Sequence, residues 1–178
     1  MVIGFPGYPF VYMRYLRTIF HIRCDDAYTM VTARVKLIPF EVPVRLTVDR
    51  IIICYRTPAA GNIRAGIYKD NGNTPQGGAL LVESASVAKA GAWQKQEIVI
   101  SDTELEPGLW WAAIQSDENT TVIEGEAAEY FKGGSLQCMY YDLGAYGPFT
   151  NPCPAVAVAP SRQPVVLLRV KSVYQPLT

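Results

Sequence analysis

From about residue 28 onward the chain is written in short apolar runs, rich in β-branched and aromatic residues and parted by turn residues. This is the pattern of antiparallel strands. Such runs cover residues 31–40, 44–55, 63–68, 79–87, 93–100, 109–116 and 165–173. In the second run Val44, Leu46 and Val48 alternate with Arg45, Thr47 and Asp49, which sends one face inward and the other outward. Ile51, Ile52 and Ile53 follow with no polar residue between them. That strand is expected at the centre of a sheet and covered on both faces.

Turns are expected at 58–62, 70–78, 90–92 and 106–108, where Gly, Pro, Asn and Asp gather. Asp70-Asn71-Gly72-Asn73 supplies the positive-φ positions of a tight reversal, and Gly66 allows a neighbouring backbone or ring to approach closely. After Pro107 and Gly108, the adjacent Trp110 and Trp111 must point to opposite faces. One is expected to fill the core and the other to reach a surface or an interface.

Residues 1–23 read as an N-terminal arm crowded with Phe5, Tyr8, Phe10, Tyr12, Tyr15 and Phe20. Gly4, Pro6, Gly7 and Pro9 exclude a helix at its start, while residues 11–22 have the spacing of one short amphipathic helix through Tyr12, Leu16, Ile19 and Phe20. An apolar arm must dock, on its own domain or on a neighbour, and its aromatic residues are the candidate interface. Residues 24–178 form a single domain with a long Gly-, Pro- and Tyr-rich loop at about 133–163, closed by a final strand. The expected fold is all-β, a jelly-roll-like antiparallel β-sandwich.

With 178 residues the chain suits one well-filled core. Hydrophobic residues at 49% and charged residues at 18% exclude a disordered chain and point to apolar surface covered by partners. The formal net charge is zero, so no basic field draws nucleic acid. The charges are nevertheless sorted: residues 1–64 carry a net +5, 65–130 a net −8 and 131–178 a net +3. Such blocks steer head-to-tail contact between copies, unless the acidic block is merely a set of solvated loops. No stretch reaches the roughly 20 apolar residues of a membrane span. Arg14, Arg17 and Arg23 interrupt anything resembling a signal peptide.

Candidate chemistry is sparse. With His21 the lone histidine and no Gly-x-Ser-x-Gly elbow, no catalytic triad is expected, and no catalytic residue or cofactor is assigned. Phosphate-cradling and dinucleotide motifs are missing. Cys24, Cys54, Cys138 and Cys153 lack the close pairs of a zinc site, so no metal is assigned; buried thiols are the default, with Cys24–Cys54 or Cys138–Cys153 bridges only in an oxidising setting. Asp117, Glu118, Glu124, Glu126 and Glu129, in the acidic segment 117–129, read as a solvated loop, with a hard cation or a glycosidase-like carboxylate pair as the other readings. Tyr140, Tyr141, Tyr146 and Phe149 are the one candidate recognition cluster, suited to subunit contact, to packing beneath the long loop or to stacking on a glycan.

Residues 37–69, LIPFEVPVRLTVDRIIICYRTPAAGNIRAGIYK, resemble a series recurring in structural proteins of tailed bacteriophages: a "PF.V" strand, a "T.DRI" strand, an Ala/Gly turn and an "R.GIY.D" strand. The likeness continues through DNGNTPQGGALLVES at 70–84, the Pro-Gly-Leu-Trp-Trp stretch within 105–113 and the closing PVVLLRVKSV, over roughly 130 residues. The chain departs from the pattern in the arm, at 117–129 and at 133–160. The resemblance implies a virion structural protein, a capsid decoration or vertex component or part of a tail fibre or attachment structure. It would be made in the host cytoplasm and assembled with copies of itself, as trimers or higher, and with other virion proteins. A glycan-binding adhesin module recognising a host surface is the alternative.

Overall fold

The computed structural model describes residues 2–3, 11–12, 15–17, 26–57, 60–126, 137–159 and 163–174, and every regular element among them is a strand. In chain order these are β1 (Val2–Ile3), β2 (Val11–Tyr12), β3 (Tyr15–Arg17), β4 (Asp26–Thr29), β5 (Arg34–Val42), β6 (Leu46–Thr57), β7 (Asn62–Lys69) and β8 (Leu80–Glu83). They continue as β9 (Val87–Ala88), β10 (Lys95–Leu105), β11 (Gly108–Ser116), β12 (Val122–Glu126), β13 (Met139–Asp142), β14 (Ala157–Val158), β15 (Gln163–Pro164) and β16 (Val166–Val173).

Two sheets of seven strands each hold the chain, with β1 and β2 as a separate ribbon. The first runs β15-β12-β6-β16-β3, with β10 also on β6 and β4 also on β12. The second runs β14-β13-β5-β11-β7-β8, with β9 also on β7. The ladders are antiparallel, as in Ile98 opposite Ile51 and Ala112 opposite Ile67. The fold is thus an all-β antiparallel sandwich. Its jelly-roll winding stays an expectation.

The main core lies between the sheets, where Val48, Ile51, Ile53 and Tyr55 of β6 meet Ile38 and Phe40 of β5, Ile67 of β7 and Trp110 and Ile114 of β11. The central place expected of β6 is observed, with β10 and β16 as neighbours and Ile51, Ile52 and Ile53 all fully buried. The outward face of β6 differs from simple alternation. Thr47 and Asp49 are buried, because Tyr174 reaches Thr47 Oγ1 at 3.4 Å and Arg169 Nε reaches Asp49 Oδ1 at 2.8 Å.

A second core lies on the outer face of the second sheet, where Val35, Leu37, Tyr68, Trp111 and Ala113 are covered by Tyr141, Phe149 and Cys153. Trp110 and Trp111 do point to opposite faces. The expectation that one of them reaches a surface or interface is corrected, because the chain after β13 folds back over Trp111 and leaves it with no exposed area.

Several boundaries also change. The helix expected over 11–22 is not formed where the chain is described, since Val11–Tyr12 and Tyr15–Arg17 are strands. Leu16 pairs with Leu168, so a sheet edge offers this aromatic, β-prone stretch a partner that local spacing could not reveal. The long loop is interrupted by β13, which pairs with β5. Trp93, expected to open a strand, instead occupies the turn before β10 at φ 55°.

Candidate functional site

The segment 143–156, after β13, lies at the end and on the outer face of the second sheet, and polar side chains hold it there. Gln115 Nε2 donates to Ala145 O and its Oε1 accepts from Gly147 N, both at 3.3 Å. Glu83 Oε1 accepts from Phe149 N and from Arg64 Nη1, both at 3.1 Å. Tyr68 donates to Thr150 O at 2.6 Å, which makes Tyr141 the donor in the 2.8 Å bond between their hydroxyls. Asn151 Oδ1 accepts from Leu80 N at 3.0 Å. Backbone bonds join Gly77 N to Cys153 O and Cys153 N to Gly78 O.

Gly66 is what lets this segment lie so close. A Cβ there would stand 2.7 Å from Val82 O and 3.0 Å from the Phe149 ring, so the close approach expected of this glycine is observed. Trp111 Nε1 donates to Asp70 Oδ1 at 2.8 Å, while Asp70 Oδ2 accepts from Gly72 N and Asn73 N in the turn whose positive φ values the sequence foretold.

The four aromatic residues of the recognition cluster therefore separate. Tyr141 and Phe149 are buried in the second core, and burial pushes the Tyr141 hydroxyl up to about 12. Tyr140 faces the main core, half-buried, with the Arg34 guanidinium 4.1 Å from its ring centre. Tyr146 is half-buried on the loop, bonded to Ser86 at 2.8 Å and 5.7 Å below Arg64. Of the arm aromatics, Tyr12 pairs with Val2 in the ribbon and Tyr15 with Arg169 at the edge of the first sheet. Phe5, Tyr8, Phe10 and Phe20 lie outside the described residues, as do His21, Cys24 and Glu129.

The acidic segment is not simply a solvated loop. Val122–Glu126 is strand β12, with Ile123 fully buried, because its pairing with β4 and β6 recruits it into the first sheet. Asp117 and Glu118 close around Lys89, whose fully buried side chain reaches Asp117 Oδ1 at 2.8 Å, Glu118 Oε1 at 3.3 Å and Ala60 O at 3.2 Å. Burial works to raise the Asp117 pKa, yet the Lys89 ammonium and the Asn62 donors outweigh it and hold the carboxyl below its ordinary value. Among the described residues no group of three or more His, Cys, Asp or Glu is placed to hold a metal ion. Cys138 and Cys153 are not bridged to each other: one faces the main core and the other the second, on opposite sides of a sheet.

Replacing Lys89 by Met leaves two part-buried carboxylates without their cation and is expected to cost about 2–3 kcal/mol, less than the roughly 3–5 kcal/mol of a fully buried pair because both acids touch solvent. A depressed carboxyl pKa contributes stability above its unfolded value, near pH 4, and loses it as pH falls through the folded one. Denaturant melts at pH 7 and pH 3 check both statements. Asp117→Asn should flatten the acid limb, and an unchanged limb would show that the pair adds nothing.

Two features escaped sequence reading. Trp93 is 75% exposed at a strained positive φ on a turn. Lys36 is only 3% exposed, inside the sandwich. Its signal was available in RVKLIPFEV, where Lys36 stands in phase with Ile38, Phe40 and Val42.

No family model, curated protein or solved structure matches this chain.

Proposed function

We propose that this chain is a virion structural protein, a rigid β-sandwich that acts by repetitive assembly in a capsid decoration or vertex, or in a tail fibre or attachment structure. One observation carries the reading. The motif series that resembles phage structural proteins occupies β5, β6, β7 and β11, which form the centre of both sheets. The departures from that series fall in the arm, around the Asp117 turn and β12, and at 133–160, which holds β13 and the segment after it. A shared framework with altered contact regions is what a family of assembling modules requires. Proton transfer or metal chemistry has no part in this mechanism. It uses burial of exposed apolar groups such as Trp93 and Val99 between copies.

The adhesin alternative draws less from the segment after β13, since Tyr141 and Phe149 are already used in packing. Among the described residues Tyr146 is half-buried and Trp93 exposed, and these are the stacking faces it could still draw on.

Light scattering on the full chain separates the two readings. A trimer or larger closed assembly supports the structural reading, and a monomer at about 100 μM that binds a defined glycan replaces it with the adhesin. Deleting residues 1–23 removes β1, β2 and β3 but should leave a folded β domain, because the strands that carry both cores begin beyond them. It should also abolish assembly, since six aromatic residues there can bury on the order of 150–250 Å² each. An unfolded truncation by circular dichroism would mean instead that β3 and its flanks complete the domain's own first sheet.

A further inference from the structure

The reversal between β7 and β8 carries reactive chemistry as well as a turn. Asparagine is a labile residue, because its side-chain amide lies within reach of the next backbone nitrogen. The asparagines at 62, 73, 119 and 151 are followed by Ile63, Thr74, Thr120 and Pro152. A β-branched neighbour shields that nitrogen by its bulk, and proline has no N–H to give up. Asn71 alone is followed by a glycine, Gly72, whose nitrogen is open.

Asn71, Gly72 and Asn73 are exposed at the tip of a hairpin in which Lys69 N donates to Ala79 O at 2.9 Å. Gly72 N donates to Asp70 Oδ2 at 3.1 Å, so a carboxylate already sits on the proton this nitrogen must lose before it can form a new bond. Asp70 is itself held through both oxygens, Oδ2 also accepting from Asn73 N at 3.0 Å and Oδ1 from Trp111 Nε1 at 2.8 Å. Asn71 is fixed at both ends, its Nδ2 donating to Gln76 O at 3.0 Å and its backbone N to Thr74 O at 2.8 Å. Labile amide, open nitrogen, proton acceptor and water therefore meet at one exposed tip.

We propose that Asn71 is a self-modification site, converted to aspartate and isoaspartate through a cyclic imide closed by Gly72 N, and that isoaspartate there loosens the segment covering Trp111. Gly72 N attacks Asn71 Cγ, and its proton passes to Asp70 Oδ2. The Cγ–Nδ2 bond breaks as the N–C bond forms, and Nδ2 leaves as ammonia with the proton that Asp70 took up. Water then adds to one of the two imide carbonyls, and the C–N bond at that carbonyl breaks. Opening at the backbone carbonyl gives isoaspartate, whose chain runs through the former side chain and is one methylene longer. Neither product keeps the donor to Gln76 O, and in isoaspartate the Asp70–Gly72 and Asn71–Thr74 bonds lose their spacing. The same reversal anchors the second core, through Asp70 on Trp111, Gly77 N on Cys153 O and Cys153 N on Gly78 O. Distortion at the tip thus reaches the segment that ends at Cys153.

The test is to age the full chain in mildly alkaline buffer, digest it, and separate and weigh its peptides beside those of fresh protein. The Asn71 peptide is expected to exchange ammonia for water and to split into two separable forms, while the peptides holding Asn62 and Asn119 stay as they were. Asp70→Asn should slow the conversion several-fold in the folded chain and leave it unaltered in urea. If Asp70→Asn does not melt cooperatively, folded and urea-unfolded wild type are compared instead, and the folded chain should convert faster. The isoaspartate fraction should show faster amide exchange at 143–153 with β6 unchanged, whereas aged Asn71→Ser should keep the protection of the fresh variant. An Asn71 that survives ageing as the other asparagines do overturns the proposal. So does conversion that is as fast without the positioned Asp70 carboxylate, or an isoaspartate fraction in which 143–153 is as protected as in fresh protein.

Discussion

Ile52→Asp is expected to yield no folded protein. Ile52 has no exposed area and sits between Leu167 of β16 and Glu97 of β10 in the two ladders that flank β6. A carboxylate there loses water, Glu97 directly opposite adds a like charge, and the nearby cations Arg50 and Arg169 are already engaged by Asp49 and Glu97. An unpaired buried carboxylate costs several kcal/mol, comparable to the whole of the roughly 5–15 kcal/mol that holds a domain together. Ile52→Val, which removes one methylene from the same place, should cost only about 1 kcal/mol. Circular dichroism and urea melts of the two variants give the comparison. A soluble, cooperatively melting Ile52→Asp protein would show that the outer face of β6 is open to water.

Trp111→Ala is expected to cost about 3–5 kcal/mol, the range for emptying a buried tryptophan site. It also leaves Asp70 without the indole donor and takes the floor from beneath Tyr141 and Phe149. The loss should be uneven. Segment 143–153 is held by a handful of hydrogen bonds and by the second core, whereas β6 and its neighbours belong to the main core. Amide exchange should therefore accelerate in 143–153 well before it does in β6. Trp110→Ala, on the inner face of the same strand, should instead lower protection in both sheets together. If Trp111→Ala left 143–153 as protected as wild type, the second core would not be what retains that segment.

How far the fold was legible follows from where the physics is local. The seven main strands and their turns announce themselves through period-two alternation and through residues whose backbone freedom suits a reversal, such as Gly72 and Asn73 at positive φ. The threefold isoleucine of β6 implies two covered faces whatever the topology, because no single-faced strand tolerates it. Gly66 carries its meaning in the absence of a side chain.

Tertiary structure decided what lies across the molecule from each of these. β3, β12 and β13 have patterns too short or too polar to read as strands, and exist because Leu168, Tyr55 and Leu37 stand ready to pair with them. Tyr141 and Phe149 look like a recognition surface in sequence, since an aromatic residue in a loop does not reveal whether a Trp111 waits beneath it. The Asp117 segment reads as solvated acid until Lys89, distant in the chain, closes on it. Lys36 is in phase with Ile38, Phe40 and Val42 in the sequence, but that this phase is the inner one follows only from the sheet packed against β5. The sequence by itself determined an all-β chain with a doubly buried central strand, because alternation and turn chemistry act within a few residues. Which charges are paired and which aromatics are covered were decided by strand pairing over long separations, because burial and Coulomb energy depend on distance in space rather than along the chain.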